Sequence, residues 1–196
     1  MERLLSATLS VLEEKGLAGV IIPEVAAAAG VSTGSVYRRF TDKDGMVRTA
    51  FLRWLEAAQD TNKAGLAPGR LLGLTLEAAL QALARGLVAQ YRGRTGLLKA
   101  LDQYLEVQTD KEFRERAISL IEVNLRLVVT ALMPFRDRVA APDPERAITF
   151  ALLSATTLIE AHKLHGSPVW RRVFPLDDDE LAAEVGRMMV AYLTMG

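Results

Sequence analysis

The sequence contains no cysteine and only two histidines, and it has no excess of charge of either sign. Without cysteine there can be no disulfide bond, thiolate metal site or cysteine nucleophile, which fits a reducing cytoplasm. The 24 basic and 24 acidic residues leave a formal net charge of zero. The chain as a whole is therefore not attracted to nucleic acid or anionic lipid, and binding to a polyanion requires a local basic patch.

Long hydrophobic runs and a leader are also missing. The sequence passes from Met1 straight into an amphipathic pattern, with no basic segment, apolar segment and cleavage site of a secretory signal. The longest uncharged runs, 25–37 and 147–159, are shorter than the roughly 18 to 20 apolar residues that a membrane-spanning helix needs. These absences predict a soluble, cytoplasmic protein with no membrane partner.

What the sequence does contain is apolar residues at helical spacing almost throughout, with no sustained alternation typical of a strand. The prediction is an all-α protein of nine helices, four short and five long, separated by glycines and prolines such as Pro68. The predicted spans are 2–15, 23–30, 33–40, 43–62, 70–91, 96–108, 111–136, 144–165 and 178–194.

The most informative segment is 23–40, which predicts two short helices that meet at a steep angle. Gly30 supplies the sharp turn, Val31 fills the corner, and Ser32 is a good N-cap for the third helix. Small or apolar residues form the inner side of both helices: Val25, Ala26, Ala29, Val36 and Phe40.

The outward side of the third helix carries hydroxyl, aromatic and basic side chains. They are Thr33, Ser35, Tyr37, Arg38 and Arg39, with Gly34 allowing close approach of a ligand to the backbone and Lys43 opening the fourth helix. The segment 31–48 contains four basic and two acidic residues, which gives it a local charge of +2. This set suits phosphate contacts and the reading of base edges in a major groove. The alternative is an ordinary corner between two helices, which does not require basic residues on its exposed side.

The run Ala29-Gly30-Val31-Ser32, with Gly34, Tyr37, Phe40 and Lys43 at their spacing, resembles the TetR/AcrR family of transcription repressors over about residues 9–50. The resemblance implies that Thr33, Gly34, Ser35 and Arg38 contact bases, and that Tyr37, Arg39 and Lys43 contact phosphates. The chain departs from the family where the second helix begins. Ile21, Ile22 and Pro23 replace a polar N-cap, and a basic N-terminal arm is absent.

The resemblance further implies a helix-turn-helix DNA-binding domain at 1–45 and a ligand-binding and dimerisation domain at 46–196. The last two helices would pair with those of a second copy, giving a homodimer that binds a palindromic operator with reading helices about 34 to 36 Å apart. The interface residues predicted on these helices are Ala147, Ala151, Ser154, Ala155, Ala161, Leu181, Val185, Met188, Met189 and Tyr192.

The long helices predict an apolar cavity with few polar groups, whose effector is a small, largely apolar molecule bound between the fourth and eighth helices. Tyr104, Asn124 and Glu160 are polar residues beside apolar stripes and are the candidate ligand-binding groups. The alternative for each is a hydrogen-bonded core or rim position.

Other motifs have structural explanations. His162 and His165 are spaced for a shared metal, but a favourable position at a helix C-terminus explains them better, and the acidic run 177–180 is typical of a helix start. No residue set predicts catalysis, a metal site or a cofactor, which argues against an enzyme. The remaining alternative is a helical ligand-binding or interaction protein that has lost DNA binding, favoured by the segment 21–23 and the missing basic arm.

Overall fold

The computed structural model describes residues 1–66, 71, 73–166 and 168–195. Every regular element in these ranges is a helix, and no strand occurs among them. The predicted all-α class is therefore confirmed. The predicted break at Pro68 lies outside the described residues.

Ten α-helices, α1 to α10, lie in the described part of the chain. They are α1 Glu2–Lys15, α2 Ile22–Ala28, α3 Thr33–Tyr37, α4 Lys43–Gly65, α5 Leu76–Gly93, α6 Thr95–Val107, α7 Lys111–Leu132, α8 Pro144–Lys163, α9 Pro168–Val173 and α10 Asp178–Thr194.

The predicted number of nine helices was one too low, because α9 was taken as part of a proline-rich connection. Pro168 in fact opens α9, at a position where proline's missing N–H costs nothing. The predicted continuation of α7 to residue 136 was also wrong. The α-helix ends at Leu132, and a 3₁₀-helix that includes Pro134 follows as Met133–Arg138. The predicted bounds of α1 and α10 are those observed.

The chain divides into two compact units. Unit 1 comprises Met1–Asp60 and Arg94–Glu122, and unit 2 comprises Thr61–Gly93 and Val123–Gly196. Unit 1 therefore contains the first three helices, most of α4, α6 and the first half of α7.

In unit 1, α1 packs against both α2 and α6. The Glu13 carboxylate accepts hydrogen bonds from the main-chain N–H groups of Gly96 (3.1 Å) and Leu97 (2.8 Å), so α1 caps the N-terminus of α6. A Cβ atom at Gly96 would overlap the main-chain carbonyl of Glu13. This close approach requires glycine, and it joins α1 firmly to α6.

In unit 2, α5, α8 and α10 pack against one another around a core of aliphatic side chains. The start of α10 has a capping box, in which Asp177 accepts from the Glu180 N–H (2.8 Å) and Glu180 accepts from the Asp177 N–H (2.9 Å). Lys163 and Arg92 both pair with Asp178 at the same helix end. The acidic run is therefore explained by the start of a helix, as predicted.

One stretch is long and apolar enough to cross a membrane by length and composition alone. It is Lys111–Arg138, with a mean hydropathy of 1.6 in its most apolar window. Its side chains contribute to the cores of both units: Phe113, Ala117 and Leu120 in unit 1, and Val128, Val129 and Leu132 in unit 2. Only 22% of that window is buried, so core packing accounts for part of this hydrophobicity and leaves Ile118 and Val123 exposed.

Candidate nucleic-acid interface and ligand cavities

The turn between α2 and α3 is made by Gly30, which has φ 66° and whose N–H donates to the Ala27 carbonyl (3.0 Å). The next N–H, of Val31, donates to the Ala26 carbonyl (2.9 Å), which ends α2. A residue with a Cβ atom would be strained at this φ. The predicted inner residues are all buried: Val25, Ala26, Ala29, Val36 and Phe40.

The start of α3 is fixed by Ser32, whose Oγ accepts from the Ser35 N–H (3.2 Å). The start of α4 is fixed in the same way by Asp42, whose carboxylate accepts from the Gly45 N–H (2.7 Å). Both caps were predicted. They set the directions of the two helices whose exposed residues form the candidate DNA surface.

We define the DNA-facing surface as Thr33, Gly34, Ser35, Tyr37, Arg38, Arg39 and Lys43. All are exposed except Ser35, which is half-buried. Ser35 organises the two arginines, since its Oγ accepts from Arg38 (2.8 Å) and its carbonyl accepts from Arg39 (3.0 Å). Lys43 lies 3.5 Å from the carbonyl oxygen of Leu17. All seven residues predicted to bind DNA therefore lie on one short segment of the chain, 33–43.

The charges of Arg38, Arg39 and Lys43 are not neutralised. In the part of the chain that the structure describes, none of them lies within ion-pair distance of a carboxylate. Arg48 differs, because it pairs with Asp44 and Asp110, each at 3.4 Å. Of the four basic residues predicted to make this region positive, three thus remain outside ion pairs. These three contact only hydroxyl or carbonyl oxygen atoms among the hydrogen bonds of the described residues.

Gly34 and Tyr37 have no evident structural purpose. A Cβ atom at Gly34 would meet nothing closer than Ser32 Oγ at 4.0 Å, so the fold does not require glycine there. The Tyr37 side chain is 59% exposed, an unusual position for a large aromatic ring. Both features are explained if another molecule approaches α3 closely.

The first turn of α2 lacks a side-chain cap, as its sequence predicts. Ile21 is the N-cap without a side-chain hydrogen bond, Ile22 is buried and Ile21 is 49% exposed. Glu24 in the same turn pairs with Lys15 of α1 at 2.7 Å. Pro23 has no N–H, and the N–H groups of Glu24 and Val25 both donate to the Ile21 carbonyl, so this helix end offers neither polar side chains nor a set of free main-chain donors.

Two neighbouring apolar cavities lie in unit 2, and we call them cavities A and B. Cavity A has a volume of about 430 Å³ and cavity B about 480 Å³. The described residues that line cavity A are Asn62, Gly65, Leu66, Leu71, Ala79, Ala82, Leu83, Gly86, Leu87, Gln90, Val128, Ala131 and Leu132. Those that line cavity B are Lys63, Leu66, Leu71, Gly73, Leu74, Leu127, Thr130, Ala131, Pro134 and Phe135. The described walls of cavity A thus come from the end of α4, the segment that follows it, α5 and α7. Those of cavity B come from the end of α4, the same segment, α7 and the 3₁₀-helix after α7, and none of these residues belongs to α8.

The three candidate ligand-binding residues are not brought together. Tyr104 lies in unit 1, 5% exposed, with its ring centroid 5.5 Å from Phe51 and 5.4 Å from Phe113. Burial raises the pKa of its hydroxyl to about 12.

The other two candidates are in unit 2. Asn124 accepts a hydrogen bond from Asn62 (2.7 Å), which lines cavity A, and Glu160 accepts one from Tyr91 (2.6 Å). Asn124 is therefore one hydrogen bond away from the cavity wall. Sequence reasoning did not identify Lys63 or Gly86, because nothing in the local pattern shows which helices enclose a cavity.

The residues predicted for pairing of two copies mostly serve the core of unit 2 instead. Those that are buried in the chain's own core are Ala147, Ala151, Ala155, Leu181, Val185 and Met189, while Ser154, Ala161 and Met188 are half-buried. The outer sides of α8 and α10 expose Phe150 (57%), Leu153 (46%) and Tyr192 (46%). The rings of Phe150 and Tyr192 lie 5.2 Å apart and form one exposed apolar patch.

The histidines near the end of α8 are placed differently from each other. The His162 ring contacts Trp170 of α9 edge to face at 6.4 Å, while His165 is exposed. In the described ranges no three His, Asp or Glu side chains are grouped closely enough to hold a metal ion.

Comparison with known proteins agrees with this arrangement. Residues 4–50 match the family described as "Bacterial regulatory proteins, tetR family". No curated protein is significantly similar to the chain in sequence.

Solved structures are similar over nearly the whole chain. A transcriptional regulator from Rhodococcus sp. Rha1 is 25% identical, with a TM-score of 0.67 and coverage of 96% of this chain and 92% of that one. The regulator FadR from Bacillus subtilis, solved with stearoyl-CoA, is 15% identical, with a TM-score of 0.70 and coverage of 98% of both chains. The fatty acid degradation regulator FadR from Bacillus halodurans is 18% identical, with a TM-score of 0.68 and coverage of 96% and 93%.

Proposed function

Because residues 4–50 match the tetR family of bacterial regulatory proteins, we propose that the chain is a cytoplasmic, ligand-responsive repressor that binds a palindromic operator as a homodimer. The observation that carries the DNA-binding role is a set of three cations, two directly after α3 and one at the start of α4, with no carboxylate within ion-pair distance among the described residues. Phosphates are their natural counter-charges. Regulators of this kind act by binding rather than by catalysis.

The proposed roles of the DNA-facing residues follow from their chemistry. Arg38 has a guanidinium fork suited to a guanine edge, while Arg39 and Lys43 supply phosphate contacts. Gly34 leaves room for the DNA backbone or a base edge against α3.

A second copy of the chain is the proposed occupant of the exposed patch on α8 and α10. Phe150, Leu153 and Tyr192 are apolar side chains that water solvates poorly, and a two-fold axis through this patch would pair it with itself. Such a dimer presents two α3 helices to two half-sites, which is the reason for expecting a palindromic operator.

Cavities A and B are the proposed effector site. Their apolar walls agree with the stearoyl-CoA found in the Bacillus subtilis relative, so we propose an apolar acyl effector. A ligand that binds the DNA-free form about a hundredfold more tightly supplies about 2.7 kcal/mol of coupling, which is enough to empty an operator held at modest excess.

The test is selection of bound sequences from a random DNA pool with purified protein. The expected result is an enriched palindrome, and Arg38→Ala should change the preferred bases within it while Arg187→Ala should not. Arg187 is a suitable control because it is an exposed arginine whose charge is already paired with Glu184 on α10. Failure to enrich any sequence would favour the other candidate, a helical ligand-binding protein that no longer binds DNA.

A further inference from the structure

Cavities A and B contain a single charged residue among their described lining residues, Lys63 of α4. From this we propose that the effector is an amphiphile with a long, unbranched apolar tail and an anionic head group, the head bound by Lys63 and the tail extending from cavity B into cavity A. This inference rests on the proposed ligand-responsive function and specifies the ligand of the same site.

The shape of the site favours an extended tail. Cavities A and B share Leu66, Leu71 and Ala131, so they are neighbouring compartments of one apolar region rather than two separate sites. A compact ring system would fill one compartment and leave the other empty. A flexible chain can occupy both, and it gains free energy from every methylene that it removes from water.

The charge of the site favours an anionic head. Lys63 lies in the last turn of α4, is exposed, and has no carboxylate within ion-pair distance among the described residues. The other polar residues among the described lining of the two cavities are uncharged: Asn62, Gln90 and Thr130. Within that described lining, a head group bound at cavity B therefore meets one cation and no anion.

The end of the tail is placed by the same geometry. With its head at Lys63 in cavity B, the tail ends in cavity A, along the side of α5 that carries Ala79, Ala82 and Gly86. A Cβ atom at Gly86 would have no neighbour within 4 Å, so this glycine leaves open space instead of allowing a close helix contact. Gly86 is thereby assigned as a residue that determines the accepted tail length.

The experiment is a calorimetric titration of the full-length protein with three homologous series, each kept below its micelle concentration. These are saturated straight-chain carboxylates, the corresponding primary alcohols, and the corresponding coenzyme A thioesters. The affinity of carboxylates should rise about fourfold per methylene until the cavities are full. Carboxylates should bind at least tenfold more tightly than alcohols of the same length.

The variants test the anchor and the length limit. Lys63→Met should remove the preference for carboxylate over alcohol and leave alcohol affinity unchanged, and Lys63→Glu should weaken carboxylate binding further. Arg85→Met is the matched control, because it removes one exposed positive charge from α5 without altering either cavity wall. Gly86→Leu should shift the best-bound tail to a shorter length.

The three series also distinguish the sources of the anion. Tight carboxylate binding identifies a free acid, whereas Lys63-dependent binding of thioesters alone identifies a phosphate-bearing carrier. If neither carboxylates nor thioesters bind more tightly than alcohols, or if Lys63→Met and Arg85→Met behave alike, the proposal is overturned. Operator binding by the ligand-free protein is measured in parallel. Specific DNA binding without amphiphile binding would refute this inference alone. Amphiphile binding without specific DNA binding would refute the repressor function.

Discussion

The DNA-facing surface takes all its residues from one short segment, Thr33 to Lys43, whereas the described residues of cavities A and B come from two stretches far apart in sequence, 62–90 and 127–135. The first carries three cations and an exposed tyrosine, and the second is apolar, with one lysine as the charged residue among its described lining residues. The contrast teaches that the two proposed activities use separate residues. A substitution can therefore remove one and spare the other, and the following predictions test that separation.

The largest effect is expected from breaking the apolar patch of α8 and α10. Phe150→Glu combined with Tyr192→Glu places two charges where two copies are proposed to meet, so the protein should become monomeric. Operator affinity should then fall about 10²- to 10⁴-fold, because binding of the second half-site is no longer intramolecular. Ligand affinity should stay unchanged. Sedimentation velocity gives the mass, and a wild-type monomer at micromolar concentration would contradict the dimer.

A smaller effect on DNA binding is expected from removing the phosphate-contacting cations. Arg39→Ala and Lys43→Ala should weaken binding to every DNA sequence alike, since phosphates carry no sequence information. Each substitution should lower the slope of log affinity against log salt by about 1.8, which is about 0.9 for each of two protomers. Fluorescence anisotropy from 50 to 300 mM salt measures the slope. An unchanged slope would show that neither residue contacts phosphate.

Two glycines offer a matched pair of substitutions. Gly34→Ala and Gly86→Ala both add a methyl group to a helix where it meets no close neighbour, so each should leave the free energy of unfolding unchanged or raise it by up to about 1 kcal/mol. Gly34→Ala should weaken operator binding several-fold without affecting ligand affinity. Gly86→Ala should weaken binding of the longest ligand several-fold without affecting operator binding. Thermal melts with both binding assays check this, and an effect on both activities from either variant would disprove the separation.

The smallest effect concerns Tyr104, which is buried in unit 1 and lines neither cavity. The pKa of its hydroxyl is about 12 in the folded protein and about 10 in the unfolded chain. Between about pH 10 and 12 this hydroxyl is therefore ionised mainly in the unfolded state. The free energy of unfolding should therefore fall as pH rises above about 10. Tyr104→Phe should reduce that fall, while Tyr37→Phe, at an exposed tyrosine, should not. Urea titrations from pH 9 to 11 measure the free energy of unfolding. Weaker ligand binding by Tyr104→Phe would contradict the conclusion that Tyr104 lies outside the effector site.

The sequence predicted well those features that depend on neighbours along the chain. The bounds of α1 and α10, the caps at Ser32 and Asp42, and the turn at Gly30 all follow from local hydrogen bonding and backbone conformation. The seven residues of the DNA-facing surface could be named together because they lie within one short segment, and their role in DNA binding stays a prediction.

Features that depend on packing could not be predicted. Both sides of α8 and α10 are apolar, so periodicity alone does not show which side is the core; Ala151 and Met189 proved to be inside and Phe150 outside. Tyr104 has the same helical spacing as a cavity residue, but α6 packs into unit 1. The cavities are spaces between helices, and a space has no sequence pattern of its own.

The contact between Glu13 and the start of α6 has a practical consequence for protein engineering. One way to change which operator a regulator binds is to join the DNA-binding domain of one protein, here called the head, to the ligand-binding domain of another. Here a graft cut at residue 45 would replace the part of α1 whose main chain packs against Gly96, and a head without glutamate at position 13 would leave two N–H groups of α6 without their carboxylate acceptor. A functional chimera must therefore bring α6 along with the head, or retain glutamate and glycine at this pair of positions.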